Sequence, residues 1–111
     1  MKFINLTAHG ITVRIGGGDI DIPASGQVAR VTENSTDAGV LDGIPVVDCR
    51  LGQVSGLPDP VEGTVYIVSP MVSGAVKGRS DVVAPDTGPA SVVRNEGGQI
   101  VAVRRFRRMV G

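Results

Sequence analysis

The sequence predicts a mostly β domain, compact and largely antiparallel, barrel-like or sandwich-like, with one short α-helix. Three observations predict it. The chain holds nineteen valines and eight isoleucines against four leucines, and β-branched side chains pack well on a pleated surface but lose rotamer freedom in a helix. Sixteen glycines and seven prolines punctuate the chain, as tight turns between short strands require. At 111 residues the length suits a single domain, residues 1–111, whose core needs neither a metal nor a disulfide.

The elements follow in order. Phe3–Leu6 and Ile11–Ile15 read as strands, the second alternating Ile11, Val13 and Ile15 with Thr12 and Arg14. Gly16-Gly17-Gly18 turns the chain into the alternating Asp19–Ile22, forming a hairpin. Gln27–Thr32 is a further strand. Residues 33–43 are polar and glycine-punctuated, hence a loop and the expected mobile segment. Ile44–Leu51 resumes the strand pattern, with Val47, Cys49 and Leu51 on one face; burial there predicts an inert Cys49 thiol. Leu57-Pro58-Asp59-Pro60 is a stiff connection. Thr64–Val68 is apolar on both faces, as befits a central strand. Ser69 caps a helix over residues 70–77, Pro70 suits its first position, and Gly78 closes it. After the Pro85–Pro89 loop, Ser91–Arg94 and Gln99–Phe106 form a second hairpin.

Composition excludes several classes. One histidine, His9, and one cysteine, Cys49, argue against a zinc site and allow no internal disulfide. No cofactor is implied. No apolar run approaches the roughly 20 residues a bilayer-spanning helix needs, and the N-terminus lacks the apolar region of a signal peptide, so a cytoplasmic protein without a membrane partner is expected. Charge is unevenly spread: residues 1–93 carry six Lys/Arg against ten Asp/Glu, and residues 94–111 carry five Arg against one Glu. Arg104, Arg105, Arg107 and Arg108 therefore form a candidate nucleic-acid patch, or the charged guard of an edge strand. A homo-oligomer is left open.

The candidate binding residues are Arg79, Asp81, Asp86, Thr87 and Arg94, in and around one proline-bracketed loop. Arginine forks suit phosphate and carboxylate, and Thr87 adds a hydroxyl. The alternative is that Arg79 pins the loop through Asp81 or Asp86. Asp86-Thr87-Gly88 resembles the signature triplet of retroviral-type aspartic proteases, whose paired carboxylates share one proton. It departs from that family in lying late in the chain between two prolines, where a turn explains the same residues.

Ile4-Asn5-Leu6-Thr7-Ala8-His9, Leu57-Pro58-x-Pro60-x-x-Gly63-Thr64-x-Tyr66-Ile67-Val68-Ser69 and Arg79-x-Asp81-Val82-x-x-Pro85-Asp86-Thr87-Gly88-Pro89 resemble a family of small proteins of tailed bacteriophages, prophages and actinobacteria. The likeness spans nearly the whole chain and departs at Ala8, where proline is expected. The family brings no established activity. It implies an intracellular accessory protein with a role in the host encounter rather than in metabolism. The function expected for the chain is non-enzymatic, engaging a host protein or sequestering a small anionic, nucleotide-like ligand.

Overall fold

A computed structural model describes all 111 residues. Ten strands and one helix follow in the order β1 (Lys2–Asn5), β2 (Ile11–Ile15), β3 (Gly18–Ile22), β4 (Arg30–Leu41), β5 (Ile44–Ser55), β6 (Thr64–Ile67), α1 (Pro70–Ala75), β7 (Val82–Pro85), β8 (Val92–Arg94), β9 (Ile100–Val103) and β10 (Phe106–Arg107). They make two four-stranded sheets, β1-β6-β7-β10 and β3-β2-β9-β8, and a separate two-stranded ribbon, β4-β5. The domain is mostly β, without a closed barrel, and the two larger sheets are arranged like a sandwich.

The first sheet is parallel at its centre, β1 to β6 and β6 to β7. A parallel neighbour cannot be reached by a tight turn, and α1 supplies the crossover between β6 and β7. Tyr66, Ile67 and Val68 are almost wholly buried, as a strand covered on both faces must be. Pairing places Phe3, Val65, Ile67, Val83, Pro85 and Phe106 on one face, and Ile4, Tyr66, Val82 and Ala84 on the other. The second face packs with Leu6, Ala29, Val68 and Val72, flanked by Val31, Val54, Leu57 and Val76. The first looks toward β2 and β9, whose Val13, Ala102 and Val103 are buried.

Helix α1 begins as expected. Ser69 is extended and its hydroxyl accepts from the Val72 N–H at 3.3 Å, with Pro70 in the first turn. It stops two residues short of Lys77, because Val76 leaves helical geometry as the cap (φ −124°, ψ 46°). Gly78 is instead drawn out to donate its N–H to the Met109 carbonyl, at 3.0 Å. Val72 and Ser73 form its buried face, while Met71 is 47% exposed. A six-residue helix depends on docking rather than propensity. Ser69→Ala is therefore expected to lower stability by about 1 kcal/mol through loss of the cap, measured by urea unfolding.

The Gly16-Gly17 turn has both residues at positive φ and joins β2 to β3 as expected. Two expectations fail together. Residues 33–43 are not a loop: through Leu41 they belong to β4, paired with β5 across a two-residue turn, Asp42-Gly43, with φ 48° and 81°. Cys49 is exposed, and its neighbour is the Ser35 hydroxyl at 3.4 Å. The alternation of Val47, Cys49 and Leu51 is real, but no layer covers that face, so alternation does not become burial. The strand expected at Gln27–Thr32 starts only at Arg30. The last hairpin also ends earlier, at Val103, after which Phe106-Arg107 crosses to pair with β7 in the other sheet.

Candidate functional site

The five loop residues do not converge. Arg79 grips Asp81 with a two-pronged fork, Nε to Oδ1 at 3.0 Å and Nη2 to Oδ2 at 2.7 Å, and also donates to the Pro58 carbonyl at 3.1 Å. Tyr66 Oη donates to the neighbouring Asp59 carbonyl at 3.3 Å. This side of β7 is thus a clasp holding the proline-rich connector to the sheet, and the Arg79 fork is already occupied. Lysine keeps the charge but not the fork. Arg79→Lys is expected to cost about 1–2 kcal/mol, as lost charge-assisted bonds do, read as a lower urea midpoint.

At the other end of β7, Asp86 is 8% exposed; it accepts Arg105 Nε at 2.6 Å and the Gly88 N–H at 2.9 Å. The second bond closes an Asx-type turn. A carboxylate so committed to a guanidinium stays ionised, the opposite of a shared-proton pair. Thr87 is exposed and lies with Arg94 along an open depression, where Arg94 Nη1 donates to the Gly98 carbonyl at 2.7 Å.

Arg79 holds the Asp81 carboxyl below the usual carboxylate range, and Arg105, aided by the Gly88 N–H, does the same for Asp86. Both folded-state pKa values are depressed, so the native state binds fewer protons than the unfolded chain in acid. The stabilisation is complete above the unfolded carboxyl pKa of about 3.9 and is lost as pH falls through the folded values. Melting temperature is expected to hold from pH 7 to pH 5 and fall below pH 4, less steeply in Asp81→Asn/Asp86→Asn.

The better-formed site lies between the two sheets. Phe3 on β1 and Phe106 on β10 come from opposite edges of one sheet, yet their rings stand 5.8 Å apart, tilted by 46°. They flank a groove of about 360 Å³, in the range of ligand pockets. Buried Val13 sits at its base, and the exposed Ile15 and Ile20 form its other wall. Arg104 and Arg105 stand beside it.

Both arginines are oriented by the fold. Arg104 Nη1 donates to the Val92 carbonyl at 3.0 Å, and Arg105 is aimed by Asp86. Ser91, fully buried, accepts from the backbone N–H groups of both, at 3.0 and 3.2 Å, and so sets the corner from which they project. The remaining guanidinium N–H groups are free to meet an anion. The Arg107 guanidinium donates to the Met109 sulfur at 3.7 Å, and Arg108 is exposed.

Reading the sequence missed Phe3 and Ser91. The signal for Phe3 was available, since it is one of three aromatic side chains in the chain. No three His, Cys, Asp or Glu side chains cluster to hold a metal ion, and no helix is long and apolar enough to cross a membrane. No family model, curated protein or solved structure matches this chain.

Proposed function

We propose that this chain is a non-catalytic accessory binding protein of phage or prophage type, whose inter-sheet groove takes a small anionic ligand with a flat body, a nucleotide in chemical class. One observation carries the reading: two aromatic rings and two fold-oriented arginines meet on a single apolar groove. A base stacks on an aromatic face, and guanidinium forks suit phosphate oxygens. Arg104 and Arg105 are held before binding, so little side-chain entropy remains to be lost. This moves the anion site from Arg79, whose Nε and Nη2 are both taken, to the C-terminal arginines, where Arg104 has no carboxylate partner and Arg105 gives Asp86 its Nε alone. Sequestration needs no reacting group, and the reading places none in the groove.

Thermal melts with ATP, ADP, a cyclic dinucleotide, inorganic phosphate and a short single-stranded oligonucleotide test it. A ligand at 100 times its Kd stabilises the native state by about 2.7 kcal/mol. The expected result is a rise with at least one small nucleotide that is lost in Arg104→Ala and retained in Arg79→Lys. A wild-type melt indifferent to every nucleotide contradicts the reading. A response to the oligonucleotide alone, steeply salt-dependent, supports nucleic-acid binding instead.

A further inference from the structure

The β4–β5 ribbon pairs with no other strand of the chain. Its twelve-residue strands are about 40 Å long at the usual rise per residue, and only its base, at Val31 and Val54, packs against the core. Along the rest, Val47 and Leu51 are exposed on one face, and at the tip Val40, Leu41 and Ile44 are 63%, 69% and 66% exposed. A two-stranded ribbon alone in water is marginally stable at best.

The surface area states how much is missing. A folded monomer of 11.4 kDa ordinarily exposes about 5,800 Å². This chain exposes 7380 Å², an excess of about 1,600 Å². Its radius of gyration, 16.3 Å, likewise exceeds the roughly 13 Å of a compact chain this long. A standard interface removes about 800 Å² from each partner. A chain that gives one arm and receives one loses about twice that, which returns its surface to the ordinary value.

Charge says what the arm meets. The arm, residues 30–55, carries Glu33, Asp37, Asp42 and Asp48 against Arg30 and Arg50, a net −2, whereas residues 106–111 carry Arg107 and Arg108 and no acid. The complementary surface belongs to the chain itself, but on the body rather than on the arm.

We propose that the β4–β5 arm docks on a second copy of this chain, its acidic, apolar-tipped end lying against the Arg107–Arg108 end of that copy. Reciprocal exchange closes a two-fold dimer with two identical contacts. Arg107 and Arg108 lie outside the groove residues assigned to the ligand, so the two functions occupy different surfaces.

Sedimentation equilibrium at tens of micromolar tests it, with Cys49 labelling as a second readout. Wild type is expected at twice the 11.4 kDa chain mass, and its Cys49 is expected to label more slowly as protein concentration rises. Leu41→Lys/Ile44→Lys, both exposed and outside the core, is expected to sediment as a monomer with an unchanged circular dichroism spectrum and Cys49 labelled fast at every concentration. Arg107→Glu/Arg108→Glu is expected to weaken the dimer at least tenfold. A wild type that stays monomeric at 100 µM, or a dimer untouched by the tip variant, overturns the proposal. A dimer lost in the tip variant but indifferent to the arginine variant overturns the assigned landing surface.

Discussion

Gly56→Ala is expected to cost about 2–4 kcal/mol, joining the strain of a left-handed backbone to a clash in a packed region. Gly56 stands where the chain returns from β5 to the body, at φ 78°, and a Cβ there would lie 2.7 Å from the Val28 carbonyl oxygen and 3.4 Å from Ala29 Cα. Those atoms are backbone, and Ala29 is itself buried in the core, so neither can move away cheaply. Gly52, four residues earlier, provides the control. A Cβ there meets the exposed Thr32 side chain first, and a change of its χ1 rotamer clears the contact at modest cost. Gly52→Ala should cost under about 1 kcal/mol, as surface changes do. Paired urea titrations measure the difference, and equal midpoints for the two variants would contradict this account of the arm's base.

The second large effect is expected at Asn5, which is 1% exposed at the end of β1. Its amide donates to the His9 and Ile22 carbonyls at 2.9 and 3.1 Å, and its oxygen accepts from the Thr7 N–H and hydroxyl at 2.9 and 2.6 Å. One side chain therefore folds the turn after β1 and ties it to β3 in the other sheet. Asn5→Ala strands several of these groups, each unmet buried partner costing about 1–3 kcal/mol before water compensates. A net loss of about 2–4 kcal/mol is expected, with a melting temperature lower by more than 8 °C for a domain of this size. Asn5→Asp should rescue little, because a carboxylate cannot donate to two carbonyls. A variant melting within 2 °C of wild type would contradict the role.

What was legible in the sequence was local. The Gly16-Gly17 turn, the Ser69 cap and the doubly covered Thr64–Val68 strand each rest on a few adjacent residues, and each was legible. The helix was overextended at its C-terminal end, because Gly78 answers to Met109, thirty-one positions away in sequence. Reading residues 33–43 as a loop relied on their polarity. A strand exposed on both faces has no need of apolar alternation, and β4 shows none over residues 32–39; Asp42-Gly43 between apolar residues was the turn signal that could have revealed it. Cys49 failed for the complementary reason: alternation reports a shared face but not whether a layer covers it.

At the site, the Arg79–Asp81 clasp joins residues two apart, and the sequence offered it as one of two readings. The groove was not legible. Phe3 and Phe106 lie at opposite ends of the chain, and Arg105 meets Asp86 across nineteen residues. Only the crossing of β10 to the first sheet brings these groups together. Asn5 and Ser91 were hidden because a polar residue in a strand is expected to face water, whereas these two are buried to satisfy backbone groups at turns.

The central claim, that the inter-sheet groove is where a small anion binds, is tested most directly by following backbone amide NMR shifts during titration with the nucleotide that raises the melting temperature most, or with ADP if none does. Saturable shifts confined to Phe3, Ile15, Ile20 and residues 104–106 are the predicted result, with Arg79, Asp81 and the β4–β5 arm unmoved. Shifts centred on Arg79 and Asp81, or no saturable shifts at millimolar nucleotide, would contradict it.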